Sequence, residues 1–428
     1  MMKIIRTSKD RRFLKKLLNR NQLEFDEVNK KVSDILSCVR ANKDKALREY
    51  TKKFDGVLLE DFLVSEDEIK LAFSNISMQL KEDLIKAKKN IEKYHKKQLK
   101  NSYFIHEEED IILGQIIRPI EKVGIYVPGG KAAYPSTVLM NVLPAKIAGV
   151  KEIIMITPPN REGKIKDSIL VAASIAGVDK IYKVGGAQGI GALAFGTESI
   201  PKVDKITGPG NIYVAMAKKQ LSGYVGIDMI AGPSEILIIA DRWANPRYIA
   251  ADLISQAEHD EMAASILITC WEPLVDKVLS QIELQIQQLE RKETIKKSLN
   301  NYGAIIITDS IEESIDIANE IAPEHLEILT KDPFNIYKDI KNAGAIFLGE
   351  YSPEPVGDYF AGPNHTLPTS STSRFSSPLS VDDFIKKTSL IYYSEKALMK
   401  SKDSIMRIAQ EEGLTGHANS VKIRFDEV

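Results

Sequence analysis

Four of the six histidines occur in short segments that also contain acidic or amide residues, a combination that suits metal binding and proton transfer. These four are His259 in SQAEHD, His325 in APEHLE, His365 in GPNHTLP and His417 in EGLTGH. The other two, His95 and His106, lie in a charged N-terminal region and are predicted to be surface residues. The first group therefore supplies the candidates for chemistry.

Gln256 and His259 are three residues apart in the helical pattern ADLISQAEH, so their side chains are predicted to share one helix face. Zinc accepts an imidazole nitrogen and an oxygen ligand. A histidine near a helix end can instead stabilise the helix dipole. Taken alone, this segment favours that simpler interpretation over metal binding.

The adjacent Glu324 and His325 immediately precede a predicted strand, and a carboxylate beside an imidazole suits paired proton transfer. An ion pair at a strand edge is the simpler alternative for such a dipeptide. Asp358 and His365 share a glycine-rich segment that is predicted to be a loop, which suits a metal or substrate site. Asp358 is equally compatible with a turn or cap position.

Glu412 and His417 stand five residues apart near the C-terminus, where a solvated tail is the simplest interpretation. The sequence contains no HExxH motif and no GxxxxGK[ST] motif. The common zinc-protease arrangement and the phosphate-binding P-loop are therefore both absent.

Glycine-rich turns follow several predicted strands. Gly189-x-Gly191-x-x-Ala194 resembles the dinucleotide fingerprint, although tight helix–strand packing explains these glycines equally well. VPGG (127–130) and TGPGN (207–211) are further small-residue turns, where backbone can approach a phosphate.

The elements that must position these residues are short apolar runs alternating with helical patterns. The first series of predicted strands is 123–127, 152–157, 180–184 and 205–207, with helices near 137–148, 166–176, 187–195 and 211–221. The second series is 235–240, 265–269, 304–308, 326–329 and 345–349. Repeated βα units imply parallel sheets covered on both faces. The sequence therefore predicts an α/β fold with two Rossmann-like, doubly wound parallel-sheet domains, divided near the Gly/Pro-rich segment 227–235.

The two ends of the chain differ from this middle part. The first hundred residues are helix-rich and charged, and the Ser65–Glu68 capping box opens one amphipathic face that runs from Ile69 to Ile91. After residue 350, Pro, Gly and Ser predict a long loop, followed by a short C-terminal unit of about residues 380–428.

Composition excludes several classes of protein. With 58 basic and 59 acidic residues, the chain has no basic field for a nucleic-acid backbone. No apolar run approaches the ~20 residues of a membrane helix, and the charged N-terminus does not resemble a signal peptide. Cys38 and Cys270 alone exclude a disulfide scaffold and a thiolate zinc cage, and they fit a reducing compartment. We therefore expect a cytoplasmic protein without nucleic-acid or membrane partners.

Together these motifs resemble the histidinol dehydrogenase family. Nine segments match in family order between about residues 118 and 421, and their number and order make the resemblance specific. The segments are GIYVPGG, STVLMN, VGGAQ, AFGTESIPKVDKITGPGN, DMIAGPSE, DLISQAEHD, APEHLE, GDYFAGPNHTLPT and GLTGHANS. The N-terminal hundred residues add little to the match.

The resemblance implies a zinc-dependent, NAD-linked enzyme that oxidises L-histidinol through L-histidinaldehyde to L-histidine, the final step of histidine biosynthesis. Two NAD+ are reduced, and one Zn2+ is bound per subunit of a homodimer with shared active sites. The zinc ligands, which also touch the substrate, would be Gln256, His259, Asp358 and His417. The acid/base pair would be Glu324 and His325. The substrate site would further include Ser234, His325, His365 and Glu412, and the NAD contacts would be Tyr126, Gln188 and Asn211.

The predicted domains follow from the βα series and from this resemblance. They are an N-terminal helical arm (1–20), a discontinuous Rossmann-like domain carrying most zinc and catalytic residues (21–120 plus 235–375), an NAD-binding Rossmann-like domain (121–234), and a small C-terminal domain (376–428). The last is expected to complete the site of the partner subunit.

Three other functions fit parts of the pattern. A zinc hydrolase could use the same ligands, but the missing HExxH and the paired Rossmann-like series argue against it. A non-catalytic binder predicts a broken set of site residues, yet every expected residue is present. A zinc- and NAD-dependent dehydrogenase of another amino alcohol is the strongest alternative, because pocket shape is not visible in a sequence.

Overall fold

A computed structural model describes residues 2–6, 26–106, 110–129 and 133–426. The chain divides into two units, residues 1–98 with 120–384, and residues 99–119 with 385–428. Within the predicted N-terminal arm, residues 3–6 form a strand, and 7–20 lie outside the described residues. None of the described helices is both long and apolar enough to cross a membrane.

Strands and helices are numbered along the described residues. The strands are β1 (Lys3–Arg6), β2 (Tyr103–Ile105), β3 (Ile111–Pro119), β4 (Lys122–Tyr126), β5 (Glu152–Thr157), β6 (Lys180–Lys183), β7 (Lys205–Thr207), β8 (Gly226–Ile227), β9 (Glu235–Ala240), β10 (Ala264–Thr269), β11 (Ala304–Ile307), β12 (His325–Leu329), β13 (Ala345–Leu348) and β14 (Ile385–Tyr393). The α-helices are α1 (Asp26–Phe54), α2 (Glu66–Asn75), α3 (Met78–His95), α4 (Pro135–Ala148), α5 (Asp167–Ala176), α6 (Gly186–Phe195), α7 (Ile212–Leu221), α8 (Pro246–Ala257), α9 (Leu274–Ile286), α10 (Lys292–Tyr302), α11 (Ile311–Ile321), α12 (Pro333–Ile336), α13 (Glu354–Tyr359), α14 (Glu395–Glu411) and α15 (Thr415–Lys422). Each strand predicted from the two apolar series is confirmed to within one residue at either end.

The first unit contains two parallel sheets. The five-stranded sheet has the order β6-β5-β4-β7-β8, and the six-stranded sheet has the order β1-β11-β10-β9-β12-β13. Apart from the edge strand β1, each sheet begins at its centre, grows to one side for three strands, and then crosses to the other side. This is the doubly wound order of Rossmann-like folds, so the predicted fold class is confirmed.

Helices cover both faces of the five-stranded sheet, which explains why its strands are apolar on both sides. Helices α4 and α5 share one core with Val123 and Ile125 of β4. Helices α6 and α7 share a second core with Ile154 and Ile156 of β5. The six-stranded sheet likewise lies between two apolar clusters.

The N-terminal helices pack on this five-stranded sheet. Helix α1 contacts α6 and α7, whereas α2 and α3 contact α5 and α4. Their apolar faces complete the two cores around β4 and β5. The division into domains as a whole stays a prediction.

The amphipathic stretch from Ile69 to Ile91 is two helices rather than one. The Ser65–Glu68 capping box is confirmed and starts α2. The helix ends at Asn75, and Ser77 then caps α3 by accepting a hydrogen bond from the Leu80 N–H at 3.1 Å. A second N-cap serine inside a continuous apolar pattern is what divides the stretch.

The second unit is built on an antiparallel sheet of order β14-β3-β2, in which Ile385 pairs with Pro119 and Tyr393 pairs with Ile111. Helices α14 and α15 pack against each other in this unit. The second unit comprises residues 99–119 and 385–428, and the C-terminal domain of 376–428 stays a prediction.

Candidate active site

Three of the predicted site residues lie where two neighbouring strands of the six-stranded sheet begin. Strand β12 starts at His325, with Glu324 directly before it, and strand β9 starts just after Ser234. The two strands are parallel neighbours, with His325 opposite Ile236. Glu324, His325 and Ser234 therefore meet at the amino edge of this sheet.

One backbone residue orients both members of the acid/base pair. The Glu235 N–H donates to Glu324 Oε2 at 2.8 Å, and the Glu235 carbonyl lies 2.9 Å from His325 Nδ1. A carbonyl oxygen only accepts, so Nδ1 carries a proton and donates it there. Nε2 of His325 is buried without a hydrogen-bond partner. In the neutral ring, that nitrogen is the basic one.

Carboxyl groups surround this nitrogen. Asp358 Oδ1 lies 3.7 Å and Glu354 Oε1 lies 4.0 Å from His325 Nε2. Burial raises the pKa of Glu324 to about 8. Burial also disfavours the charged form of His325, but Glu324, Asp358 and Glu354 outweigh it and raise the pKa of the ring to about 10. The site thus contains more acidic groups than the one imidazole can balance, and a divalent cation would compensate their negative charge.

A candidate metal centre adjoins the pair. His259, Glu354 and Asp358 can each offer a ligand atom, and these atoms lie within 4.8 Å of one another. Gln256 is fully buried, and neither Oε1 nor Nε2 of its amide has a hydrogen-bond partner. An orphaned buried amide is unusual in a native protein. Together with imidazole and carboxylate groups, it fits a zinc ion, which binds nitrogen and oxygen ligands.

The elements that carry these ligands differ from the prediction at two points. Helix α8 ends at Ala257, so Gln256 lies in its last turn and His259 in the turn that follows. Asp358, predicted to lie in a loop, is on helix α13. Pro355, in the first turn of this helix, favours a helix start, because proline has the required φ angle.

Glu354 is a site residue that the sequence analysis missed. It stands four residues before Asp358, so the two carboxylates share one helix face. The four-residue spacing could have indicated a shared helix face. The segment was predicted to be a loop, however, and in a loop this spacing does not bring two side chains together. The Glu354 N–H donates to Glu327 Oε1 at 2.8 Å, which fixes the first turn of α13.

Two more buried acids lie behind Glu354. Glu327 and Asp252 are both buried, and their carboxyl groups interact with each other. Burial raises the pKa of Asp252 to about 6 and that of Glu327 well above its usual range. This pair therefore holds a proton under conditions in which exposed carboxyl groups are ionised.

His365 connects the site to the five-stranded sheet. Its Nδ1 lies 3.0 Å from the Asp358 carbonyl, and its Nε2 lies 3.4 Å from Thr137 Oγ1 of helix α4. Burial lowers the pKa of His365. A cavity of about 440 Å³ opens beside His259, and Ser136 of α4 and Tyr359 also line it. The candidate metal ligand His259 is thus next to a space large enough for a small substrate.

The three predicted NAD residues lie at the carboxyl edge of the five-stranded sheet. Tyr126 ends β4, Gln188 is in the first turn of α6 after β6, and Asn211 caps α7 after β7. The sheet reverses its direction of growth between β4 and β7, which is where doubly wound sheets bind dinucleotides. The buried Oε1 of Gln188 has no hydrogen-bond partner. This free acceptor fits a ligand that donates a hydrogen bond.

Tyr126 and Asn211 have different surroundings. Tyr126 is buried, and burial raises its pKa to about 12. Asn211 is exposed, and its Oδ1 accepts hydrogen bonds from the N–H groups of Tyr213 and Val214 at 3.0 and 3.2 Å. The side-chain carbonyl oxygen of Asn211 is therefore already hydrogen-bonded, and the N–H groups of the side-chain amide remain for a ligand.

The fingerprint-like glycines serve helix packing. Gly189 and Gly191 both lie inside α6. A Cβ on Gly189 would lie 2.8 Å from Ile156 Cδ1, and one on Gly191 would lie 3.1 Å from Leu36 Cδ2. Of the two interpretations of this motif, the structure supports close packing against the sheet and against α1.

The remaining predicted residues belong to the second unit. Glu412 caps the C-terminus of α14, and His417 lies in the first turns of α15. Both side chains are exposed on that unit.

The other histidines and the cysteines take no part in the site. His95, predicted to be a surface residue, is fully buried at the end of α3, where its Nδ1 lies 2.8 Å from Gln98 Oε1. His106 is exposed, as predicted. Cys270 follows the carboxyl end of β10, about 20 Å along the strand from the amino edge. Cys38 lies on α1, and both thiols are free.

Two doubly wound parallel sheets, one of them with a dinucleotide-type switch point, place the protein in the α/β class. Comparisons with known proteins identify the family. The family model for histidinol dehydrogenase matches residues 18–425. Histidinol dehydrogenase from Clostridium acetobutylicum is 60% identical over 414 residues, covering 97% of this chain and 96% of its own.

A second relative and a solved structure agree. Histidinol dehydrogenase from Bacillus cereus is 58% identical over 413 residues, covering 96% of each chain. The crystal structure of histidinol dehydrogenase from Elizabethkingia anophelis superposes with a TM-score of 0.94 at 42% identity, covering 99% of this chain and 98% of that one. The chain belongs to the histidinol dehydrogenase family, so the resemblance inferred from its motifs is confirmed.

Proposed function

We propose that this chain oxidises L-histidinol, through L-histidinaldehyde, to L-histidine in the cytoplasm, with two NAD+ reduced. The observation that carries this proposal is the buried Glu324–His325 pair, whose Nε2 atom faces the candidate metal ligand Asp358 at 3.7 Å. An acid–base pair beside a metal-binding group suits the removal of a proton from a held alcohol.

Gln256, His259, Asp358 and His417 would hold one zinc ion per subunit, with Glu354 next to them. When bound, zinc would orient the imidazole and amino groups of the substrate. Tyr126, Gln188 and Asn211 would contact NAD, which accepts a hydride in each of the two oxidations. Ser234, His365 and Glu412 would line the substrate site.

His325 would accept the hydroxyl proton at Nε2, because Nδ1 is committed to the Glu235 carbonyl. A cation held by Asp358 would oppose the effect of that carboxylate on the pKa of His325 and would so favour the neutral ring, which can accept a proton. The second oxidation requires the aldehyde to be hydrated, since a hydride leaves only from a tetrahedral carbon. Glu324 would activate the water that adds to the aldehyde.

Steady-state NAD reduction with L-histidinol tests the proposal directly. We expect two NADH per histidinol, loss of turnover on chelation, and recovery with added zinc. Full turnover by metal-free protein would overturn the zinc assignment. Faster turnover of an amino alcohol that lacks an imidazole would favour the alternative dehydrogenase function.

We further propose a homodimer in which Glu412 and His417 complete the partner's active site. Gln256→Ala and His417→Ala proteins are unfolded together and refolded as a mixture. With shared sites, each heterodimer has one intact site, so random pairing returns about a quarter of wild-type activity. If each chain builds its own site, the mixture stays as inactive as either parent.

A further inference from the structure

A buried ion pair lies beneath the loop that joins β7 to α7. Lys218 Nζ of α7 pairs with Asp228 Oδ1, and the two side chains are only 2% and 1% exposed. A lysine is almost never buried this completely without a dedicated partner. None of the roles assigned above uses either residue.

Both members of the pair bind the same loop residue. Asp228 Oδ2 accepts a hydrogen bond from the Gly208 N–H at 2.8 Å. Lys218 Nζ donates to the Gly208 carbonyl at 2.9 Å. The donor and the acceptor of one backbone residue are thus satisfied by two opposite charges, and such charge-assisted hydrogen bonds are stronger than neutral ones.

The placement of the two side chains follows from the local fold. Side chains of a helix point toward its N-terminus, so Lys218 reaches back toward the loop that precedes α7. Asp228 directly follows β8, and its N–H donates to the Ile206 carbonyl of β7 at 3.2 Å. The ion pair therefore ties β7, α7 and β8 to one point of the loop.

That point lies directly against the end of β4. Gly208 has φ +116°, and a Cβ built on it would lie 2.0 Å from the Tyr126 carbonyl oxygen. Any side chain is excluded, so the loop backbone rests on Tyr126. Three residues later, Asn211 caps α7. A displacement of Gly208 would move Tyr126 and Asn211, two of the three residues that we propose to contact NAD.

A purely stabilising role explains the pair poorly. Replacing a buried ion pair by apolar residues is often neutral or stabilising, because burial removes both charges from water. Here the two charged groups hydrogen-bond to the Gly208 backbone, which lies outside the hydrogen-bond ladder of the sheet. We infer, on the basis of the proposed NAD-dependent function, that Lys218 and Asp228 are positioning residues that hold the Gly208 peptide so that Tyr126 and Asn211 keep the geometry that binds the coenzyme.

Single variants of the holoenzyme give the first test. Lys218→Met removes the donor to the Gly208 carbonyl, and we expect the dissociation constant of NAD, measured by calorimetry, and the KM for NAD to rise about tenfold, the equivalent of one lost hydrogen bond. The KM for histidinol should stay within about twofold, since Glu324, His325 and Gln256 belong to the other sheet and its helices. Lys219→Met, at the exposed neighbouring position, is the matched control and should change neither constant.

The double variant Lys218→Met/Asp228→Asn separates positioning from stability. It leaves no buried unpaired charge, so its Tm should recover relative to either single variant. The amide introduced by Asp228→Asn can still accept from the Gly208 N–H, but the Gly208 carbonyl lacks its donor, so NAD affinity should stay low. Recovery of NAD affinity together with Tm would overturn the inference. Failure of the wild-type protein to bind NAD at all would overturn the proposed function and the inference together.

Discussion

The two parallel sheets of the first unit share one strand order but carry their candidate sites at opposite edges. In the five-stranded sheet, Tyr126, Gln188 and Asn211 lie where strands end and helices begin. In the six-stranded sheet, Ser234, Glu324 and His325 lie where strands begin. Two sheets with the same topology therefore carry candidate sites at opposite ends of their strands.

The charge of the expected ligand explains the difference. The carboxyl edge of a parallel sheet faces helix N-termini, whose free N–H groups favour anions such as the phosphates of a dinucleotide. The amino edge receives helix C-termini, whose free carbonyls favour cations. Gln256 lies in the last turn of α8, and His259 follows it directly. Strand order identifies where a ligand can bind, and the edge indicates the sign of its charge.

The largest expected effect comes from the amino edge. His325→Asn should lower histidinol oxidation by ~10²–10⁴, the range for loss of one proton-transfer group. NAD affinity, measured by calorimetry, should not change, because the coenzyme residues lie on the other sheet. His106→Asn, at an exposed histidine, is the control. A parallel loss of NAD binding would show that the two edges are not independent.

Glu324→Gln should slow the second oxidation step more than the first. The amide keeps an oxygen for the Glu235 N–H but loses the base that activates water. Oxidation of histidinaldehyde should therefore fall by ~10²–10⁴, and the first hydride transfer should fall less. Single-turnover measurements that start from the alcohol and from the aldehyde provide the comparison. Equal damage to both steps would contradict the water-activating role.

At the carboxyl edge, Asn211→Asp should raise the KM for NAD about tenfold. Aspartate caps a helix as well as asparagine does, so α7 should persist. The change removes the amide donors and places a negative charge beside an anionic coenzyme. Asn245 is a matched control, because it caps α8 at the carboxyl edge of the six-stranded sheet. An equal effect of Asn245→Asp on the KM for NAD would contradict the assignment of NAD to one sheet.

The smallest effect concerns the acids behind the amino edge. Burial raises the pKa of Asp252 to about 6, so the folded state prefers the protonated form and loses stability as pH rises toward and past that value. Asp252→Asn removes this loss. Between pH 5 and pH 8, the free energy of unfolding of the variant should gain about 1 kcal/mol relative to the wild type. Urea titrations measure it, with the exposed Asp316→Asn as control. A pH-independent difference would contradict the raised pKa.

The parallel sheets were predictable because strands covered on both faces are continuous apolar runs, and such runs need no knowledge of their partners. The antiparallel sheet was not, because β3 and β14 carry mixed polar and apolar residues and are separated by residues 120–384. The burial of His95 depends on packing around the end of α3, which a local charge pattern does not reveal.

The candidate site residues likewise divide into those that local sequence predicts and those that depend on the fold. Glu324 and His325 were predicted from the chemistry of adjacent side chains, and the family resemblance supplied their roles. Glu354 was missed because the predicted loop hid a helical spacing. Lys218 and Asp228 are ten residues apart in sequence, and each looks like an ordinary surface charge there. Only the fold, in which Asp228 follows β8, brings it next to α7.

The hydrogen bond from His325 to the Glu235 carbonyl links the protonation state of the proposed catalytic ring to the register of a sheet. No side-chain substitution at position 235 can remove a backbone acceptor. A slip of β12 by one residue against β9, however, would turn His325 to the opposite face. Enzymatic activity therefore reports on the alignment of these two strands, and it should disappear under mild denaturation before circular dichroism records any loss of secondary structure.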